Sequence, residues 1–118
     1  MNRIEWITRA IAQPYIVQKN LFPGFVNVAD ELAIEWELAL EDIDHLNFTE
    51  EQKLSLKNLD DFMLSISGES NIQYWNDEAL CNSNEWKKMR ALADNIIIIM
   101  GWDDMPPPKN NGIYINNP

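Results

Sequence analysis

Apolar positions recur at intervals of three and four over most of the chain, the spacing of helices that bury one face. Ile4, Ile7 and Ile11, with Trp6 beside them, predict a first helix over 2–13 that Pro14 stops. A second, over 26–44, is marked by Phe25, Val28, Ala29, Leu32, Trp36, Ala39, Leu40 and Ile43 and contains neither Gly nor Pro. Thr49-Glu50-Glu51-Gln52 fits a capping box opening a third helix, whose stripe is Leu56, Leu59, Phe62, Met63 and Ile66 and whose left-handed terminator is Gly68. Trp86, Met89, Ala93, Ile96, Ile97 and Met100 predict a fourth over 84–100, ended by Gly101. Ile96 to Ile99 is a β-branched run, so a strand competes with helix there.

Between these elements the pattern weakens. Residues 13–24, with Pro14, Pro23 and Gly24, read as an ordered connection; 69–83 is polar, with a short helical turn expected after Asn76. Beyond Gly101, Met105-Pro106-Pro107-Pro108 forbids helix and favours extended polyproline geometry, and Ile113-Tyr114-Ile115 is expected either to pair as a short strand or to pack back as a tied end. The expectation is an all-α, single-domain bundle of about four helices over 1–104, followed by an extended Pro/Asn-rich tail over 105–118. Trp36, Leu32, Leu59, Phe62 and Trp86 are its candidate core, and Trp75 is the tryptophan expected to be partly exposed.

Charge changes this picture more than composition does. The chain of 118 residues carries a net charge of −10, and all of that excess but one unit falls between Leu21 and Gln52, which holds nine acidic residues and no Lys or Arg. On a helical wheel whose core direction is set by Phe25, Asp30, Glu37 and Glu41 lie on one flank of the far side, and Glu31 and Asp42 on the other. Ile34 and Leu38 fall between the two flanks, opposite Phe25 and in the middle of that acidic arc. An apolar centre with a charged rim is the anatomy of a protein-binding surface, and Asp30, Ile34, Glu37, Leu38, Glu41 and Asp42 are the candidate partner-binding residues. The competing reading makes the helix central, packed on two sides, with Ile34 and Leu38 in the core. Trp102, Asp103 and Asp104 form a smaller acidic and aromatic cluster, with Trp102 read as a core anchor.

Catalytic chemistry finds little purchase. His45 is the single histidine and Cys81 the single cysteine, so neither an intrachain disulfide nor a cysteine zinc site is available. Glu41, Asp42 and His45 make at best a mononuclear metal site, and the glycines stand too far apart for a phosphate loop. No cofactor is expected, nor an enzyme. A pI near 4.3 opposes binding to nucleic acid or an anionic membrane and favours a basic protein partner. The charged start Met1-Asn2-Arg3-Ile4-Glu5-Trp6 lacks the apolar stretch of a signal peptide, so a cytoplasmic protein is expected.

In size, tryptophan content, acidity concentrated on the run Ala29-Asp30-Glu31-Leu32-Ala33-Ile34-Glu35-Trp36-Glu37 through Asp44, and lack of site chemistry elsewhere, the chain resembles the immunity proteins of bacterial toxin systems, of the contact-dependent or other polymorphic type. Those proteins differ widely in fold. The resemblance implies tight neutralisation of a cognate toxin, often a basic nuclease, by covering its active site or a neighbouring surface. Two other functions fit the acidity: a nucleic-acid mimic that inhibits a DNA-binding enzyme, and a carboxylate metal-dependent enzyme.

Overall fold

Pro14 both stops the first helix and opens a second. The computed structural model describes residues 1–109, and all regular structure among them is helical. Helix α1 (Arg3–Ala12) starts on Asn2, whose side chain accepts from the Glu5 amide at 2.9 Å. The expected connection after it contains a helix of its own, α2 (Tyr15–Asn20), with Pro14 at its N-cap, where a missing N–H costs nothing. α3 spans Val28–Leu40, α4 Glu50–Ser65, α5 Asp77–Asn82 and α6 Asn84–Met100. Two 3-10 segments, Ile43–His45 and Glu69–Tyr74, complete the order. The bundle therefore has six α-helices among the described residues rather than about four, because α2 and α5 are too short to show a periodicity of their own.

α1 packs on α3 and on α6, and α4 packs on α6, which gives one core. Leu32, Trp36, Leu59 and Trp86 lie in it as expected. Phe62 is only half-buried; its ring is covered by the Lys88 ammonium, 4.7 Å from the centroid. Phe25, placed on the core stripe by its spacing, is instead 89% exposed. The cause is local: Asn27 accepts from the Asp30 amide and fixes the start of α3 at Val28, so Phe25 stands outside the helix and its periodicity. At the other end α3 stops at Leu40, and residues 41–45 turn away instead of extending the helix to 44.

The capping box of α4 is formed in both directions: Gln52 N–H donates to Thr49 Oγ1 at 3.1 Å, and Thr49 N–H to Gln52 Oε1 at 2.9 Å. Gly68 has positive φ (98°) but ψ of 170°, and α4 has already ended at Ser65. The left-handed terminator is found at Gly101 (φ 74°, ψ 26°), where the amides of Gly101 and Trp102 return to the Ile97 carbonyl. This cap holds Ile96 to Met100 in helix and removes the strand alternative: Ile96 and Ile97 are buried. No helix of the described residues is long and apolar enough to cross a membrane.

After Gly101 the chain runs without helix along α1. Trp6 Nε1 donates to the Pro108 carbonyl at 2.9 Å, Arg9 Nε to Met105 at 3.0 Å and Gln13 Nε2 to Asp104 at 3.1 Å, while Pro107 is buried. The segment Ile113-Tyr114-Ile115, expected as a strand or a tied end, lies outside the described residues.

Candidate functional site

The outer face of α3 follows from what its inner face must do. Val28, Ala29, Leu32, Trp36 and Ala39 are buried, and Trp36 Nε1 donates to Asp60 of α4 at 3.1 Å, which fixes the rotation of the helix. Asp30, Ile34, Glu37, Leu38 and Glu41 then share one ridge, roughly 16 Å long at about 1.5 Å per residue. Ile34 is 48% exposed and Leu38 is 38% exposed, so neither belongs to a second core. Asp30, Glu37, Glu41 and Asp42 are exposed; Glu41 caps the helix, and Asp42 lies just past it, its amide bonded to the Ala39 carbonyl.

Stability accounts for some of these acids and not for others. Asp30 and Glu31 sit in the first turn of α3, and Glu50 and Glu51 in the first turn of α4, where the helix dipole favours negative charge. Glu37 and Glu41 occupy the opposite end, where the dipole disfavours them, and the last turn of α3 contains no basic residue. Among the described residues Glu37, Glu41, Asp42 and Asp44 form no ion pair. Partial desolvation, with Glu31 next to it, raises the Asp30 carboxyl, although the side chain is exposed and Asn27 Nδ2 donates to it at 3.2 Å.

Glu35 is the residue the sequence pattern conceals. Counted with the acidic run, it is 4% exposed, its Oε2 accepts no hydrogen bond, and Arg3 Nε stands 4.0 Å away. Burial raises its carboxyl, against the lowering influence of Arg3 and reinforced by Glu31. The available signal was its spacing, three residues after Leu32 and four before Ala39 on the core side.

The second acidic cluster gains a member. Asp94 joins Gly101, Trp102, Asp103 and Asp104 around an open cavity of about 600 Å³ at the end of α6. Partial desolvation and the nearby Asp104 raise the carboxyl of the exposed Asp94. Trp102 packs edge-on against Phe48, with ring centroids 6.4 Å apart, and so ties this end of α6 to the loop following the Ile43–His45 turn. Trp75 is half-buried, edge-on to Trp86, and its Nε1 donates to the Ile66 carbonyl at 2.8 Å.

Metal ligation is not assembled: among the described residues no three of His, Cys, Asp or Glu gather as a ligand set, Glu41, Asp42 and His45 included. Cys81 is exposed. Compared with known protein families, with curated proteins and with solved structures, the chain matches none.

Proposed function

We propose that the protein works by stoichiometric binding of a basic protein through the outer face of α3, in the manner of an immunity protein that neutralises a cognate toxin. The observation that carries this reading is the C-terminal half of α3. Two large aliphatic side chains, Ile34 and Leu38, are exposed there, beside carboxylates of Glu37, Glu41 and Asp42 that form no ion pair among the described residues and stand at the negative end of the helix. Residues that cost stability where they stand are expected at functional surfaces, where a partner supplies the compensating contacts. A cationic surface docked on this face would neutralise the rim, and Ile34 and Leu38 would be the desolvated centre. The partner-binding residues on this reading are Asp30, Ile34, Glu37, Leu38, Glu41 and Asp42.

A nucleic-acid mimic needs two rows of carboxylates along an extended surface, whereas the excess here is confined to residues 21–52, on α3, the turn after it and the start of α4. That confinement favours a protein partner over mimicry.

The test is capture from the source cell with the wild-type chain beside two full-length variants, Leu38→Asp and the pair Glu37→Lys with Glu41→Lys. A basic protein retained by the wild type at low salt, inhibited at a molar-ratio endpoint and lost by both variants, is the expected result. Equal retention by all three, or inhibition far below stoichiometric amounts, overturns the reading.

A further inference from the structure

Trp6, Arg9 and Gln13 occupy one side of α1 at spacings of three and four, and each donates a side-chain N–H to a main-chain carbonyl of the C-terminal strap. Arg9 adds a longer bond from Nη2 to the Pro106 carbonyl at 3.5 Å, and its Nη1 is held at 3.0 Å by Glu5. The registers agree. Trp6 to Gln13 spans about 10 Å of helix axis. The strap bends at Met105 and continues through Pro106, Pro107 and Pro108, so that 104 to 108 reach no further than about 12 Å. The strap runs antiparallel to the helix, so that Pro108 meets Trp6 and Asp104 meets Gln13.

Among the described residues no backbone-to-backbone hydrogen bond joins 103–109 to the remainder of the fold. Prolines 106 to 108 have no N–H, so an extended segment here leaves no donor unsatisfied without forming a sheet. Of the strap's rings only Pro107 is buried; Met105 is 59% exposed. Trp6 is itself braced edge-on by Phe22, with centroids 5.9 Å apart, which fixes its N–H toward the strap. Tryptophan N–H on a proline carbonyl, next to a buried proline ring, is the chemistry by which proline-rich ligands are recognised between chains.

We propose that this face of α1 is a recognition surface for proline-rich extended segments of other polypeptides, and that residues 104–108 are its intramolecular ligand. Recognition reads carbonyl positions and one buried proline, features that any chain in the same backbone conformation presents. Tethering gives the strap an effective concentration of about millimolar, so an external segment competes only when it binds more tightly or the strap is weakened.

The test uses the full-length, nitrogen-15-labelled chain carrying Pro106→Gly, Pro107→Gly and Pro108→Gly, with the Trp6 indole N–H signal assigned by Trp6→Phe. The probe is the blocked hexapeptide Asp-Met-Pro-Pro-Pro-Lys. The expected result is that the variant moves the Trp6 signal alone, and that the peptide returns it saturably toward its wild-type position. The same peptide with glycine at its three proline positions should bind about tenfold more weakly or worse, since each proline removes unfolded-chain freedom. Absence of any shift at about 5 mM peptide, above the tethered effective concentration, overturns the proposal, and so does equal binding of the glycine peptide. A Trp6 signal that moves with protein concentration and no peptide also overturns it, because the occupant is then a second copy of this chain. Should the variant disturb Trp36, Trp75, Trp86 and Trp102 as well, the milder full-length variant Pro107→Gly, which weakens the strap at its one buried ring, is titrated with spin-labelled hexapeptide at about 5 mM. Selective broadening of the Trp6 signal then supports the proposal, and its absence overturns it.

Discussion

Arg90 and Gln18 meet inside the bundle, where Nη2 of Arg90 donates to Oε1 of Gln18 at 2.8 Å. Gln18 is fully buried, and its Nε2 in turn serves the carbonyls of Ala10 and Ile11 at 3.3 and 2.9 Å; the Gln13 amide also reaches Ala10, whereas the end of α1 leaves Ile11 without a backbone partner. Arg90 also donates to the carbonyls of Gln13 and Leu80. A single amide and a single guanidinium thus close the ends of α1 and α5 against α6, and burial pulls Arg90 below the usual arginine value.

Replacing Gln18 by Ala strands the Ile11 carbonyl, leaves Ala10 with the Gln13 amide alone and removes an acceptor from Arg90, a loss of about 1–3 kcal/mol. Combined with Arg90→Met the two changes should fall short of additivity, with a coupling of about 0.5–3 kcal/mol. Urea unfolding of the four proteins of the cycle measures it. Strict additivity would mean that the two side chains act independently.

The Gln18–Arg90 pair also marks how far the sequence was readable. Signals that complete themselves within four residues were legible: the Thr49–Gln52 box, Pro14, and the stripe through Leu32 and Trp36. Gln18 and Arg90 are 72 residues apart, and a polar side chain shows nothing locally of the carbonyls it will serve. Phe25 was misplaced because helical spacing does not stop at a cap, whereas the helix does. Spacing did place Ile34 and Leu38 away from the core, but Glu35, one residue after Ile34, faces inward and cannot be told from its exposed acidic neighbours by charge alone. The strap on α1 was invisible for the same reason as Arg90: its contacts join residues 91 to 102 positions apart.

On the outer face of α3 stability and binding should move in opposite directions. Glu37→Lys and Glu41→Lys place cations at the negative end of the helix and should each stabilise the fold by about 0.3–1 kcal/mol at low ionic strength. The same changes should slow association with a basic partner and flatten its salt dependence. Thermal unfolding, and association rates measured over a range of salt, read the two effects separately; destabilisation by either lysine would show that these carboxylates have a structural role.

Leu38→Ala separates surface from core at one position. A side chain that is 38% exposed loses little on truncation, so unfolding free energy should change by less than about 1 kcal/mol. Trp36→Ala, on the opposite face, removes a side chain that is 1% exposed together with its bond to Asp60 and should cost about 3–5 kcal/mol. Equal losses in the two variants, measured by denaturant titration, would place Leu38 in the core.

Glu35 should make stability depend on pH in a direction opposite to that of an ion-paired carboxylate. Burial raises its folded-state carboxyl above the ordinary 4.5, with Glu31 adding to the rise and Arg3 opposing it. In the window between 4.5 and the raised value the folded protein binds more protons than the unfolded one, so stability falls as pH rises through that window. Below it the carboxyl is neutral in both states and the penalty is absent. Glu35→Gln keeps the shape and removes the charge, and it should raise the unfolding midpoint at pH 7 while erasing this part of the pH dependence. Denaturant titrations of both proteins from pH 4 to pH 8 decide the matter. If Glu35→Gln is the less stable of the two at pH 7, the Arg3 pairing outweighs desolvation and the assigned cause is wrong.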